Sequence, residues 1–154
     1  MEGRHLLTHI NTALDLLPER MRGERAARLI LAICYQESGL RARIQYGTKG
    51  NLARGFAQFE RIAVMDVLMR PATQGPATAL CDALSIRPEV DECHEAIAWN
   101  DVLMAGFARL NLWNDPHPLP QGKVQSWETY LRVWRPGKPH PERWTGNWRK
   151  AQVV

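Results

Sequence analysis

Glu37 is the residue best placed to do chemistry in this chain. Ala26, Ala27, Leu29, Ile30, Leu31, Ala32, Ile33 and Cys34 form an apolar run broken only by Arg28, and the chain then reads Tyr35-Gln36-Glu37-Ser38-Gly39. A run this long and this rich in Ala and Leu predicts a buried helix rather than a strand. Ile30, Ile33, Cys34 and Glu37 fall at helical spacing on one face, so the core-facing stripe ends in a carboxylic acid. Burial disfavours the charged form of such an acid and raises its pKa, which is what a general acid needs at neutral pH. The plain alternative is a carboxylate turned outward at the helix end and solvated. Gly55-Phe56-Ala57-Gln58 is the segment expected to partner Glu37.

Other chemistries find little support. Cys34, Cys81 and Cys93 are odd in number, and no secretory leader is legible in Met1-Glu2-Gly3-Arg4-His5, which argues against a disulfide framework. The three are expected as thiols, with Cys34 a small core residue. A Cys81–Cys93 bond is left open. Metal-ligand spacing is absent, and no cofactor is expected. No apolar run reaches the roughly 18 residues of a membrane span. The expected place of synthesis is the cytoplasm, with export by another route.

The chain has 154 residues, 45% hydrophobic and 23% charged, which suits one globular domain over 1–154. The net charge of +4 favours an anionic partner such as a cell wall, a membrane surface or nucleic acid. No zinc-finger or RNA-binding signature accompanies the basic clusters at Arg20–Arg28 and Arg132–Lys150, so a nucleic-acid partner is not expected.

The elements that must position Glu37 read as mainly α, about seven helices around a buried central one. Helices are predicted over about 4–17, 24–38, 60–70, 74–84, 89–113, 126–134 and 141–150. The fifth is open to interruption at Asn100-Asp101, where Asn100 would cap a second piece. Pro71 is expected to end the third helix, Pro88 to open the fifth at its first position, and Ser126 to cap the sixth. Residues 39–54, with Gly47, Thr48, Gly50 and Asn51, read as a loop or small hairpin, with a short strand at Ile44, Gln45 and Tyr46. Asp115 to Pro120 reads as a stiff connector. Gly106, among Leu103, Phe107 and Leu110, points to a close helix crossing. Five of the six tryptophans follow position 110 and, with nearby Arg, would suit an anionic glycan groove. Capping a small core is the plainer use of Trp113 and Trp127.

Glu37-Ser38 followed about 20 residues later by Gly55-Phe56-Ala57-Gln58 resembles the catalytic motifs of soluble lytic transglycosylases and goose-type lysozymes. The whole chain is similar to small phage-encoded proteins of the lytic transglycosylase or virion lysozyme kind. The shared stretches are Gln36-Glu37-Ser38, Ala53 to Glu60, Pro71-Ala72-Thr73, Cys81 to Leu84, Asn100 to Leu103, Gly106 to Leu110 and Trp134 to Pro139.

This resemblance implies a lysozyme-like fold and cleavage of the β-1,4 bond between N-acetylmuramic acid and N-acetylglucosamine. By the same resemblance Glu37 is the acid and base, Ser38 orients it, and Gly55, Phe56 and Gln58 line the groove. Tyr130 lies near the acid, although its context is Thr129-Tyr130-Leu131 where the family has Ala-Tyr-Asn. Phe56-Ala57 stands where the family has Leu-Met. Attack by the substrate's own 6-hydroxyl would give a 1,6-anhydro end without water.

Glu60, 23 residues after Glu37, is a candidate second carboxylate. Across a gap of roughly 6.5–9.5 Å it would permit inverting hydrolysis, whereas its plain role is an acid at a helix start. The expected partners are peptidoglycan glycan strands and other proteins of a phage particle. The rival from another class is a virion structural or adaptor protein without turnover.

Overall fold

The computed structural model describes residues 2–44 and 52–154. The chain is mainly α. In order it forms α1 (Glu2–Asp15), a single 3-10 turn (Glu19–Met21), α2 (Glu24–Ser38), α3 (Arg61–Met69), α4 (Pro71–Ala83), α5 (Val90–Ile97), α6 (Asp101–Trp113), α7 (Gly122–Trp134) and α8 (Pro141–Val153). Among these no helix is long and apolar enough to cross a membrane.

α2 is the buried rod that its composition predicts. From Ala26 to Cys34 every residue except Arg28 is buried. α1 and α8 lie along it, and α6, apolar on nearly every side, closes the layer behind. The buried side chains form one cluster that runs from Leu6 in α1 to Ala151 in α8. In α6, a side chain at Gly106 would strike Leu80 of α4, so the missing Cβ is what lets these two helices meet.

α8 runs antiparallel to α2 and is tied to it at both ends. Arg28 of α2 donates to the carbonyls of Ala151 and Val154 at 3.1 and 2.7 Å. At the other end the Gln36 amide donates to the carbonyls of Pro139 and His140 at 2.8 and 3.0 Å, and its oxygen accepts from Asn147 at 2.8 Å. Gln36→Met would leave three polar partners unmatched. The expected cost is about 2 kcal/mol in urea unfolding, with amide exchange rising first in α8.

Three boundaries differ from expectation. Pro71 does more than end α3: Arg70 takes an extended conformation and Pro71 becomes the first residue of α4, so a one-residue corner replaces the expected gap to Gln74. Pro76 then falls inside α4, where its absent N–H leaves only the carbonyl of exposed Ala72 without a helical partner. α5 begins at Val90 with Glu89 ahead of it, so Pro88 lies outside the helix. α7 begins at Gly122 rather than Ser126, which is buried within it. No Ser, Thr, Asp or Asn marks that start; instead the Gln125 side chain accepts from the Gln121 backbone N–H at 3.0 Å.

The break between α5 and α6 falls where Asn100 predicts it. Its Oδ1 accepts from the Leu103 N–H at 3.0 Å. In the 39–54 segment, Ile44 and Arg54 form one antiparallel bridge, and Arg54 forms a second with Phe59. The strand expected at Gln45 and Tyr46, and the turns at Gly47, Thr48, Gly50 and Asn51, lie outside the described residues. Cys34, Cys81 and Cys93 are buried free thiols, with the Cys81 and Cys93 sulfurs 3.6 Å apart.

Candidate active site

Glu37 lies in the last turn of α2, and the helix stops directly behind it. Gly39 adopts a left-handed conformation (φ 61°) and its N–H bonds the Tyr35 carbonyl at 2.9 Å. Ser38 fixes this end: its hydroxyl donates to the Cys34 carbonyl at 3.0 Å and accepts from the Leu40 N–H at 3.2 Å. Ser38 therefore sets the backbone from which Glu37 projects, and its hydrogen bonds go to backbone groups rather than to the acid.

The Glu37 carboxyl is half-buried. Its Oε1 accepts a hydrogen bond of 2.8 Å from the Tyr130 hydroxyl of α7. Burial pushes its pKa from 4.5 up to about 7; the Tyr130 donor works against the rise and the negative charge of Glu60 adds to it. Tyr130 is itself only 2% exposed. Its ring stacks on Trp144 at 5.7 Å with 10° between planes, and Trp127 leans on both. Burial and the neighbouring carboxylate raise the Tyr130 pKa, so it stays a proton donor to Glu37. The aromatic cluster thus backs the acid and excludes water from one side of it.

Residues 54–59 form a closed turn. Arg54 and Phe59 exchange backbone hydrogen bonds of 2.9 and 2.8 Å. Within the turn the Gly55 carbonyl accepts from both the backbone N–H and the side-chain amide of Gln58, each at 2.9 Å. Gly55 is buried rather than open to a ligand, against Ile97 and Met104. Phe56 lies half-buried beneath the Arg43 guanidinium at 4.2 Å, and Arg43 makes a two-point ion pair with Asp101 at 2.7 and 3.1 Å. The Gln58 side chain is half-buried at the turn's end, and Gln58 itself holds a left-handed φ of 54°.

One helix face joins the acid to this turn. Tyr130 and Trp134 are four residues apart on α7, hence on the same side. Tyr130 holds Glu37, while the Trp134 indole N–H donates to the Ala57 carbonyl at 2.9 Å and its ring meets Phe59 at 5.8 Å. Glu60 follows the turn as the residue ahead of α3; it is exposed, and its side chain makes no cap hydrogen bond. Glu37, Tyr130, the 54–59 turn and Glu60 are therefore neighbours around the end of α7. Glu37 lines neither the cavity of Arg109 and Trp113 nor the one of Arg28 and Trp148.

Trp134 and Arg43 were not singled out as site residues by the sequence. Trp134 enters only as one of the late tryptophans and in the Trp134 to Pro139 stretch, and its acceptor, the Ala57 carbonyl, is set by the tertiary fold. Arg43 carried no sequence signal, since its partners Phe56 and Asp101 are set by the tertiary fold. Of the late tryptophans, Trp113 and Trp127 are half-buried, in keeping with their expected use in the core, Trp134 and Trp148 are half-buried and Trp144 is buried, while the exposed tryptophan is Trp99. Trp127, Trp134 and Trp144 pack around Tyr130 and the 54–59 turn, whereas Trp113 lies against Arg20 and Arg109 and Trp148 lies near Arg28.

The Tyr130 hydrogen bond has a testable sign. A donor to Glu37 favours the ionised form, so Tyr130→Phe raises the Glu37 pKa further. The expected result is an upward move of the Glu37 titration midpoint, read by carbon NMR of its carboxyl. The alkaline limb of any acid-dependent activity should move with it, with a rate loss of about tenfold from the lost alignment. No family model, curated protein or solved structure matches the chain.

Proposed function

We propose that the protein cleaves peptidoglycan glycan strands as a lytic transglycosylase of lysozyme-like fold, with Glu37 as acid and then base. The observation that carries this reading is the Glu37 carboxyl, pushed to about 7 and held by Tyr130 beside the Gly55–Gln58 turn. An acid with that pKa is partly protonated at neutral pH and still strong enough to give its proton away. It protonates the glycosidic oxygen between N-acetylmuramic acid and N-acetylglucosamine, and the C1–O bond breaks. The resulting carboxylate then takes the proton of the muramic 6-hydroxyl as that oxygen bonds C1, which closes the 1,6-anhydro ring. Phe56 and Gln58 contact the sugar, Gly55 holds the turn, and Ser38 holds the helix end.

A second reading is hydrolysis by the same acid. It is favoured by Glu60, whose uncapped carboxylate lies near enough to raise the Glu37 pKa. There Glu60 would activate a water on the opposite face of the sugar. In both readings the net charge of +4 favours the anionic wall, and a phage particle would carry the enzyme there.

The test is incubation of the protein with purified sacculi and mass spectrometry of the released fragments. Anhydro ends support transglycosylation, whereas reducing ends that disappear in Glu60→Gln support hydrolysis. Intact sacculi would reject both and leave a virion structural or adaptor role.

A further inference from the structure

We propose that the cavity between α6, the Asp115–Pro120 connector and α7 binds a carboxylate carried on a short apolar stem, received by the Arg109 guanidinium. The cavity has a volume of about 480 Å³, within the usual range of roughly 300–1,000 Å³ for small-molecule sites. Its walls are Leu112, Trp113, Leu119 and the connector prolines, with Arg109 and Thr129 among the polar lining.

Arg109 is only 3% exposed. Its Nε donates to the Met21 carbonyl at 2.6 Å, and among the described residues Nη1 and Nη2 have no hydrogen-bond partner and no carboxylate. No side-chain nitrogen that is wholly shut off from solvent lacks a partner among those residues, so these two nitrogens keep some exposure, and Arg109 is one of the residues lining the cavity. Burial alone pulls the guanidinium pKa down to about 10, with no opposite charge to restore it, and the group stays cationic at neutral pH. Buried cations are ordinarily paired.

The acid in the same wall is already taken. Asp115 holds Arg132 at two points, each 2.8 Å, and the His117 Nδ1 lies 3.4 Å from its Oδ2. Trp113 has Arg109 at 5.4 Å and Arg20 at 5.7 Å from its ring, so the local charge is positive. With Nε engaged, the end of the fork remains, two parallel N–H groups that match the two oxygens of a carboxylate. The apolar wall takes the stem.

This site is separate from Glu37. Glu37 does not line the cavity, whose nearest link to it is Thr129, the residue before Tyr130 on α7. Arg109 is tied to Met21 ahead of α2, while Glu37 is in the last turn of that helix. The carboxylate comes either from a free small acid or from the end of a peptide.

Titrations followed by NMR of the Trp113 indole N–H and the Arg109 Nε–H distinguish the sources. Isovalerate stands for the free acid and N-acetyl-leucine for the peptide end, with N-acetyl-leucinamide and inorganic phosphate as controls. The expected result is saturable shifts of both signals with one or both acids at millimolar concentration, and none with the amide. The acid that binds tighter names the source. Arg109→Met should weaken that binding about tenfold or more, and Glu37→Gln should leave it unchanged. Should Arg109→Met fail to fold, the comparison of acid with amide on the unaltered protein decides alone. The proposal is overturned if neither acid saturates, if the amide binds as well as its acid, or if phosphate binds as tightly as both acids.

Discussion

Replacing Glu37 by Gln is expected to lower the release of fragments from sacculi by roughly 10²–10⁴-fold, the usual contribution of a positioned general acid. The variant keeps the shape of the side chain and can still accept from Tyr130, so substrate binding should persist while turnover stops. The same substitution should change stability in the opposite direction. In the folded protein Glu37 holds its proton up to about pH 7, whereas in the unfolded chain it releases it near 4.5. The folded state therefore binds more protons in this window, and stability falls as pH rises through it, then levels off. Gln carries no proton to lose. Above pH 7 the variant is expected to be more stable than the unaltered protein by roughly 1–3 kcal/mol, with the difference gone below pH 4.5. Urea midpoints measured from pH 4 to 8 check this. A pH-independent difference would mean that Glu37 is solvated after all.

The largest expected structural effect belongs to Gly55→Ala. Gly55 has φ 75°, and a Cβ there would stand 2.7 Å from the Ile97 carbonyl oxygen and 2.8 Å from the Ile97 Cγ2. The oxygen is backbone at the end of α5 and cannot swing away as a side-chain tip would. Left-handed strain and overpacking together are expected to cost about 2–4 kcal/mol, a fall in Tm of about 10 °C. Gly39→Ala is the control: φ is 61° but nothing lies within 4 Å, so only the conformational part, about 1 kcal/mol, should appear. Because Ala57 in the same turn holds Trp134, Gly55→Ala should also loosen the α7 end around Glu37. A Trp fluorescence change below the unfolding temperature would report that loosening.

Much of the fold was legible because it is written locally. The apolar run from Ala26 to Cys34 predicts a buried helix, Gly39 predicts its end, and Asn100 predicts the break between α5 and α6. The errors fell where a residue's usual local role was overridden. Pro71 can end one helix and begin the next, and position alone does not say that it does both. Ser126 carries the marks of a cap, yet its burial on α7 is decided by packing. Phe56 and Gln58 were legible as members of a motif. That Gly55 is a glycine because of Ile97, 42 residues onward, was not.

By itself the sequence determined where chemistry could occur: a carboxylic acid at the end of the apolar stripe of α2, with a turn and a second acid downstream. Only the tertiary structure decided the state of that acid. Desolvation of Glu37 is supplied by the surrounding fold, its hydrogen bond by Tyr130, 93 residues away, and part of its pKa by the charge on Glu60. The same holds for Arg109, one more basic residue on a helical stripe until the fold buries it with no carboxylate partner among the described residues. Helical periodicity and capping act over a few neighbouring residues, so a one-dimensional reading captures them. Burial and electrostatic pairing depend on which distant segments are brought together, and no local pattern encodes that.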